Sequence, residues 1–309
     1  MSRRLLLAAA LLLLLGSGVG WYLMRPAPLP PPPIERVVQG GDGGALPRAT
    51  PADENFAPAA LAEAGARALQ EGAQAFLVLR HGHLVAESYA TGFDRDTRAD
   101  AGAFAATLVA MNIGVAITEG LMRANNLQGF QAERLAAILA SEADMPYEEY
   151  LSTRVWRRLN AADASFQLPR PGAAIRAGCC LVARLGDWMR VAVLLLEDGH
   201  FQGEAVLPTG WVARMRQPQL GNRQQGMGIL LGDAAVGAEP FADDVFFVRG
   251  KGRWRLWLAP TLQLAVLHVG DGGSENWDET ALPNAVIRAV MDRPAPAVGT
   301  PLQQLVPGH

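Results

Sequence analysis

Few side chains in this sequence are suited to chemistry, and their spacing is the first evidence about function. His81 and His83 lie two apart, which on a strand would turn both to one face. No carboxylate or cysteine stands beside them in the sequence, so they read as exposed residues of a tight turn rather than metal ligands. His200, His268 and His309 form no ligand spacing, and there is no H-E-x-x-H, no P-loop and no G-x-G-x-x-G opening a helix. No metal and no cofactor is implied. Beyond the leader the serines are Ser88, Ser141, Ser152, Ser165 and Ser274. None sits in G-x-S-x-G, which excludes the nucleophile elbow of an α/β-hydrolase. Ser274 lies in the Gly-rich "GDGGSENWD", the kind of loop that carries function, although "SENWDE" equally supplies a cap for the next helix. Lys251 is the only lysine among 27 basic residues, a bias that GC-rich coding explains. Cys179 and Cys180 are adjacent, too close for ordinary disulfide geometry, and read as two small buried side chains.

The elements that would position these groups follow from periodicity. "PAALAEAGARALQEG" is a helix stopped by Gly72, and "AFLVLRHGHLVAESYA" is a hairpin turning at Arg-His-Gly-His. A helical block follows: "AGAFAATLVAMNIGVAITEG", "FQAERLAAILASE", "MPYEEYLSTRVWRRL", "ARLGDWMRVAVLLLEDG" and "LPTGWVARMRQP". The last third turns to strands in "GMGILLG", "DDVFFVRG", "RWRLWLAP" and "LQLAVLHVGDG", before a final helix in "NWDETALPNAVIRAVMD". Strands at both ends around a helical middle predict one antiparallel sheet built from both ends of the domain, an α+β arrangement with the helical block on one side.

The chain has 309 residues, half of them apolar, enough for one large domain. A net charge of −3 gives no reason to expect nucleic acid as a partner. Residues 1–25 carry Arg3 and Arg4 and then an uncharged run from Leu5 to Met24, long enough to cross a bilayer, with Trp21 and Tyr22 at the interface. This reads as a signal-anchor that holds the amino end in the cytoplasm and exports the rest. The alternative is a cleaved leader with "GSGVG" as the cleavage region and a secreted, periplasmic product. Residues 26–55 are Pro- and Gly-rich and read as a linker, 56–292 as the folded domain, and 293–309 as a tail.

Several segments together resemble the serine β-lactamase-related family, which includes class C β-lactamases, penicillin-binding proteins, esterases and 6-aminohexanoate-dimer hydrolases. They are "LVLRHGHLVAESYATGFD", "GVAITEGLM", "AILASEADMPYEEYLSTRVWRRLNAADASFQL" and "VLLLEDGHFQGEAVLPTGWVARMRQP". The resemblance covers about Phe56 to Met291 and implies a β-lactamase/transpeptidase-like fold, here with a reduced helical lobe. It also implies where the reacting groups should be, and they are missing. The family's S-x-x-K, whose amine takes the proton of the serine one helical turn away, falls on Ala103-Phe104-Ala105-Ala106. The Y-x-N or S-x-N motif falls on Leu127-Gln128-Gly129, with Asn125 and Asn126 as alternative amides. The K/H-T/S/G-G motif falls on Lys251-Gly252-Arg253, which keeps the cation, replaces the last glycine and supplies the ligand-binding candidates.

The expectation is therefore an exported protein anchored in a bacterial inner membrane, with its domain in the periplasm and no serine catalysis. It would bind a cell-envelope partner or a wall-derived ligand, or act as a scaffold. The alternative is an active hydrolase whose nucleophile has moved, to Ser274 or Ser88, assisted by Lys251 or His268.

Overall fold

The computed structural model describes residues 34–123, 129–272 and 277–292. Chain order begins with β1 (Ile34–Val38), α1 (Pro58–Gln70), β2 (Ala75–Arg80), β3 (His83–Tyr89) and β4 (Arg98–Asp100). The helices α2 (Phe104–Thr118), α3 (Ala132–Glu142) and α4 (Tyr147–Leu151) follow, then β5 (Ala164–Leu168), β6 (Leu181–Arg184) and α5 (Leu185–Leu196). A short ribbon of β7 (His200–Phe201) and β8 (Glu204–Ala205) precedes α6 (Trp211–Met215) and β9 (Leu230–Leu231). The chain closes with β10 (Phe246–Arg249), β11 (Arg255–Ala259), β12 (Leu264–Val269) and α7 (Ala281–Arg288).

The main sheet runs β3-β2-β12-β11-β10-β9 and every pairing is antiparallel. Its middle joins the amino-terminal hairpin to the carboxy-terminal strands, with Leu77 opposite Leu267 and Phe76 opposite His268. Period-two alternation then sorts the side chains onto two faces. Leu77, Leu79, Leu256, Leu258, Ala265 and Leu267 face α2 and α5. Phe76, Val78, Trp257 and Val266 face α1 and α7. Helix α2 is apolar all round because it is buried nearly all round, from Phe104 to Ala116. It is wedged by Trp211, whose ring occupies the space a side chain at Gly114 would need and whose Nε1 donates to the Ala110 carbonyl at 2.9 Å.

A second sheet, β1-β5-β6-β4, was not expected. Its strands are three to five residues long, too short to show a period. Here the linker reading of 26–55 needs correction. From Ile34 onward the chain is part of the fold, β1 pairing along its whole length with β5. The glycines that suggest a loose tether instead permit close packing: a side chain at Gly40 would lie 2.2 Å from the Ala161 carbonyl oxygen. The Gly40 amide donates to the Asp163 carboxylate at 2.7 Å and that of Gly41 to the Ala161 carbonyl. The cysteine reading is corrected as well. Cys179 and Cys180 are bonded to each other, and neither is fully buried. Cys180 adopts φ 66°, a left-handed turn just before β6 that brings its sulfur round to its neighbour's. Among the described residues no helix is long and apolar enough to cross a membrane. The signal-anchor, residues 1–25, and the tail lie outside the described residues.

Candidate functional site

The start of α2 and the β10–β11 turn form one unit. Gly102, at φ 62°, lies directly against the turn, and a side chain there would meet the Lys251 amide nitrogen at 2.7 Å. The Lys251 amide donates to the Ala101 carbonyl at 3.3 Å, and Gly250 is equally confined, with the Ala101 oxygen 2.5 Å from where its Cβ would be. Asp100 fixes the other side by accepting the Gly102 amide at 2.9 Å. Beneath α2, Phe104 is the anchor: its ring meets Trp188 at 5.2 Å and Trp254 at 5.9 Å, both nearly edge to face. From above, the loop through Gly228 rests on the helix, with its carbonyl accepting the Thr107 hydroxyl at 2.6 Å.

In that frame Ala103 is exposed and Ala106 half-buried, one turn apart. Their methyls offer neither a nucleophile nor a proton acceptor. Lys251 is exposed and its ammonium has no ion-pair partner among the described residues. Helix α2 has no side-chain cap and no acidic residue in its first turn, so the positive end of its dipole adds to the lysine charge.

The three candidates at the turn do not act together. Lys251 and Gly252 lie at the exposed tip, whereas Arg253 is buried and turns to the opposite side of the sheet. Its guanidinium sits 5.2 Å over the Trp277 ring and donates to the Glu71 carbonyl at 3.4 Å. Neither Arg253 nor Phe104 fills the space in front of Ala103.

The proposed replacements for the nucleophile fare differently. Ser88 faces α1, its hydroxyl oxygen 3.2 Å from where a Gly65 side chain would begin. It is opposite Phe76, which is in turn opposite His268, so two strand spacings, about 10 Å, separate the serine from that imidazole. His268 is buried, with Nδ1 2.8 Å from the Arg253 carbonyl oxygen. Burial lowers its pKa to about 4, so it is neutral at physiological pH, and Ser88 is too distant to use it as a base. Ser274 and the second-motif positions Leu127 and Gln128, with Asn125 and Asn126, lie outside the described residues.

His81 and His83 do have a carboxylate. Glu54, almost fully buried, reaches His81 Nδ1 at 2.6 Å and His83 Nδ1 at 2.8 Å. It comes from 27 residues upstream, which local sequence inspection has no means to detect. Among the described residues no group of three or more His, Cys, Asp or Glu could hold a metal ion. The contributions of Asp100, Gly102 and Gly228 to the α2 frame were also missed. Gly102 alone left a signal, a glycine just ahead of an apolar helix.

No protein-family model matches the chain, and no curated protein matches it. Solved structures do. A proposed 6-aminohexanoate-dimer hydrolase from Bacillus anthracis superposes with a TM-score of 0.63 at 14% identity, over 84% of this chain and 90% of that one. A β-lactamase from Mycobacterium bovis gives 0.60 at 16% identity, over 74% and 99%. A family VIII carboxylesterase gives 0.58 at 13% identity, over 82% and 100%. The fold is that of serine β-lactamases and penicillin-binding proteins.

Proposed function

We propose that the protein is an exported, membrane-anchored member of this fold that binds rather than acylates. The observation that carries the reading is the pair of methyls at Ala103 and Ala106, held in an intact frame of α2, the Gly250–Gly252 turn and the Gly228 loop. A carbonyl brought to those two positions meets methyls in place of the hydroxyl and its paired amine, so neither position can form a covalent intermediate. What remains is a positive locale, Lys251 beside an uncapped helix start, suited to an anionic group of a wall-derived ligand or a cell-envelope protein. The apolar run from Leu5 to Met24 supports attachment to the inner membrane with the domain on the periplasmic side.

The test is covalent labelling of the purified full chain with a fluorophosphonate and with a fluorescent penicillin. Neither should label it. Labelling that is lost in Ser274→Ala, with the fold intact, would establish the relocated-nucleophile hydrolase instead.

A further inference from the structure

Away from the α2 site, a cavity of about 260 Å³ opens between the chain at 43–46, the β2–β3 hairpin and the start of α5. Its floor is apolar, made by Leu77, Leu84 and Met189 with Leu46 partly buried beside them. Its rim is guanidinium. Arg95 and Arg184 both line it, and each is partly exposed. The turn that carries Arg95 is clipped to the start of α5 by two backbone bonds, Leu185 to the Thr97 carbonyl and Gly186 to the Arg95 carbonyl, both 3.0 Å. The two arginines therefore project from a braced junction rather than from free loops. Each uses one nitrogen on a carboxylate, Arg95 Nη2 on Glu87 at 2.8 Å and Arg184 Nη1 on Asp96 at 2.9 Å. A guanidinium carries five N–H donors, so donors remain on both.

The cavity wall is also deliberately held open. Arg190, buried on α5, pairs with the buried Asp187 at 3.1 Å and donates to the Leu159 carbonyl at 3.0 Å and to the Gly44 carbonyl. This ties the 43–46 strap to the helix while leaving space below it. Each carboxylate in the lining has a guanidinium partner: Glu87 with Arg95, Asp96 with Arg184 and Asp187 with Arg190. Burial raises Glu87, but hydrogen bonds from Arg48 and Tyr89 outweigh it and hold the group ionised below the usual carboxylate range. Three guanidinium groups (Arg95, Arg184 and Arg190) and three carboxylates (Glu87, Asp96 and Asp187) line the cavity, and a fourth guanidinium, Arg48, pairs with Glu87 from outside the lining.

We propose that this cavity is a second ligand site, one that takes a small amphiphilic carboxylate with its chain on the leucine floor and its carboxylate on Arg95 and Arg184. It stands apart from the α2 site and holds whether or not that site acylates. The volume divided by roughly 30 Å³ per water-sized group allows about eight or nine such groups, which hexanoate, with eight heavy atoms, matches. The test is calorimetric titration of the full chain with hexanoate, hexan-1-ol and hexylammonium. Hexanoate should bind one per chain and about tenfold or more tighter than hexan-1-ol, the range of a charge-assisted hydrogen bond. Hexylammonium should be the weakest of the three. Arg95→Gln with Arg184→Gln should bring hexanoate down to the level of the alcohol. Arg184→Gln alone should give part of that loss if the double variant does not fold. Ala45→Trp, at an exposed position on the strap, should abolish binding of all three. Hexanoate binding no tighter than the alcohol, or binding unchanged in Ala45→Trp, overturns the proposal.

Discussion

The two sides of the β10–β11 turn differ sharply in what their polar groups do. On the α2 side, Lys251 is exposed with no ion-pair partner among the described residues, and the nearby helix start presents two alanine methyls. On the α1 and α7 side, Arg253 and Arg255 both stack on Trp277, Arg255 and Arg249 share Glu279, and His268 is held by the Arg253 carbonyl. The first region is sparse where a reaction would need polar groups. The second is crowded where only folding uses them. The difference teaches that the frame around α2 is maintained by groups other than those that would act on a substrate. Its glycines and Phe104 hold the geometry, and positions 103 and 106 contribute only their backbone.

If that contrast is sound, breaking the crowded side should cost most. Glu279 is almost fully buried and takes Arg255 Nε at 2.6 Å and Arg249 Nη2 at 2.6 Å, which keeps its carboxyl below the usual range despite burial. Glu279→Gln leaves the buried Arg255 guanidinium without its counter-charge, and the expected loss is about 3–5 kcal/mol. Urea unfolding measures it directly. A loss under about 1 kcal/mol would mean that the network is a surface feature and the contrast false.

The next effect is set by pH. His268 has its pKa lowered from 6.5 to about 4 by burial. The unfolded chain takes up this proton near pH 6.5 while the folded chain refuses it until about pH 4. The stabilisation is therefore complete above pH 6.5 and is lost as pH falls to about 4, where the total reaches about 3 kcal/mol. His268→Gln should flatten that part of the stability–pH curve while leaving the region above pH 7 unchanged in slope. Persistence of the full slope in the variant would assign it to other groups.

How much of this was legible in the sequence depends on the range of the interaction. Hairpin β2–β3, strands β10 to β12 and helices α1, α3 and α5 announce themselves by local period, and the antiparallel sheet follows from their order. The second sheet did not, because β4 has three residues and β6 four, too few for a pattern. Segment 34–55 was misread because glycine marks both looseness and close approach, and only the Ala161 carbonyl beside Gly40 decides which. The vacancy at Ala103 and Ala106 came from aligning neighbouring segments, since an all-apolar helix carries no phase of its own. The Glu54 contact to His81 and His83, and the direction Arg253 takes, depend on tertiary packing, and no sequence spacing encodes them.

The smallest expected effect on stability sharpens the comparison from the sparse side. Ala103 is exposed and stands at the N-cap of α2, where a serine is among the preferred residues. Ala106 lies one turn on and is half-buried, so a lysine there can keep its stem on the helix and its ammonium near position 103. Ala103→Ser with Ala106→Lys should therefore shift unfolding by less than about 1 kcal/mol, the cap gain offsetting the lower helix propensity. The same double variant should acquire covalent labelling by the fluorophosphonate that the parent lacks, because positions i and i+3 bring the new amine to the new hydroxyl. A large destabilisation would show that the methyls are packed rather than facing open space. A stable but unlabelled double variant would show that the frame lacks something besides those two groups, and Ala103→Ser alone would then label no better than the parent.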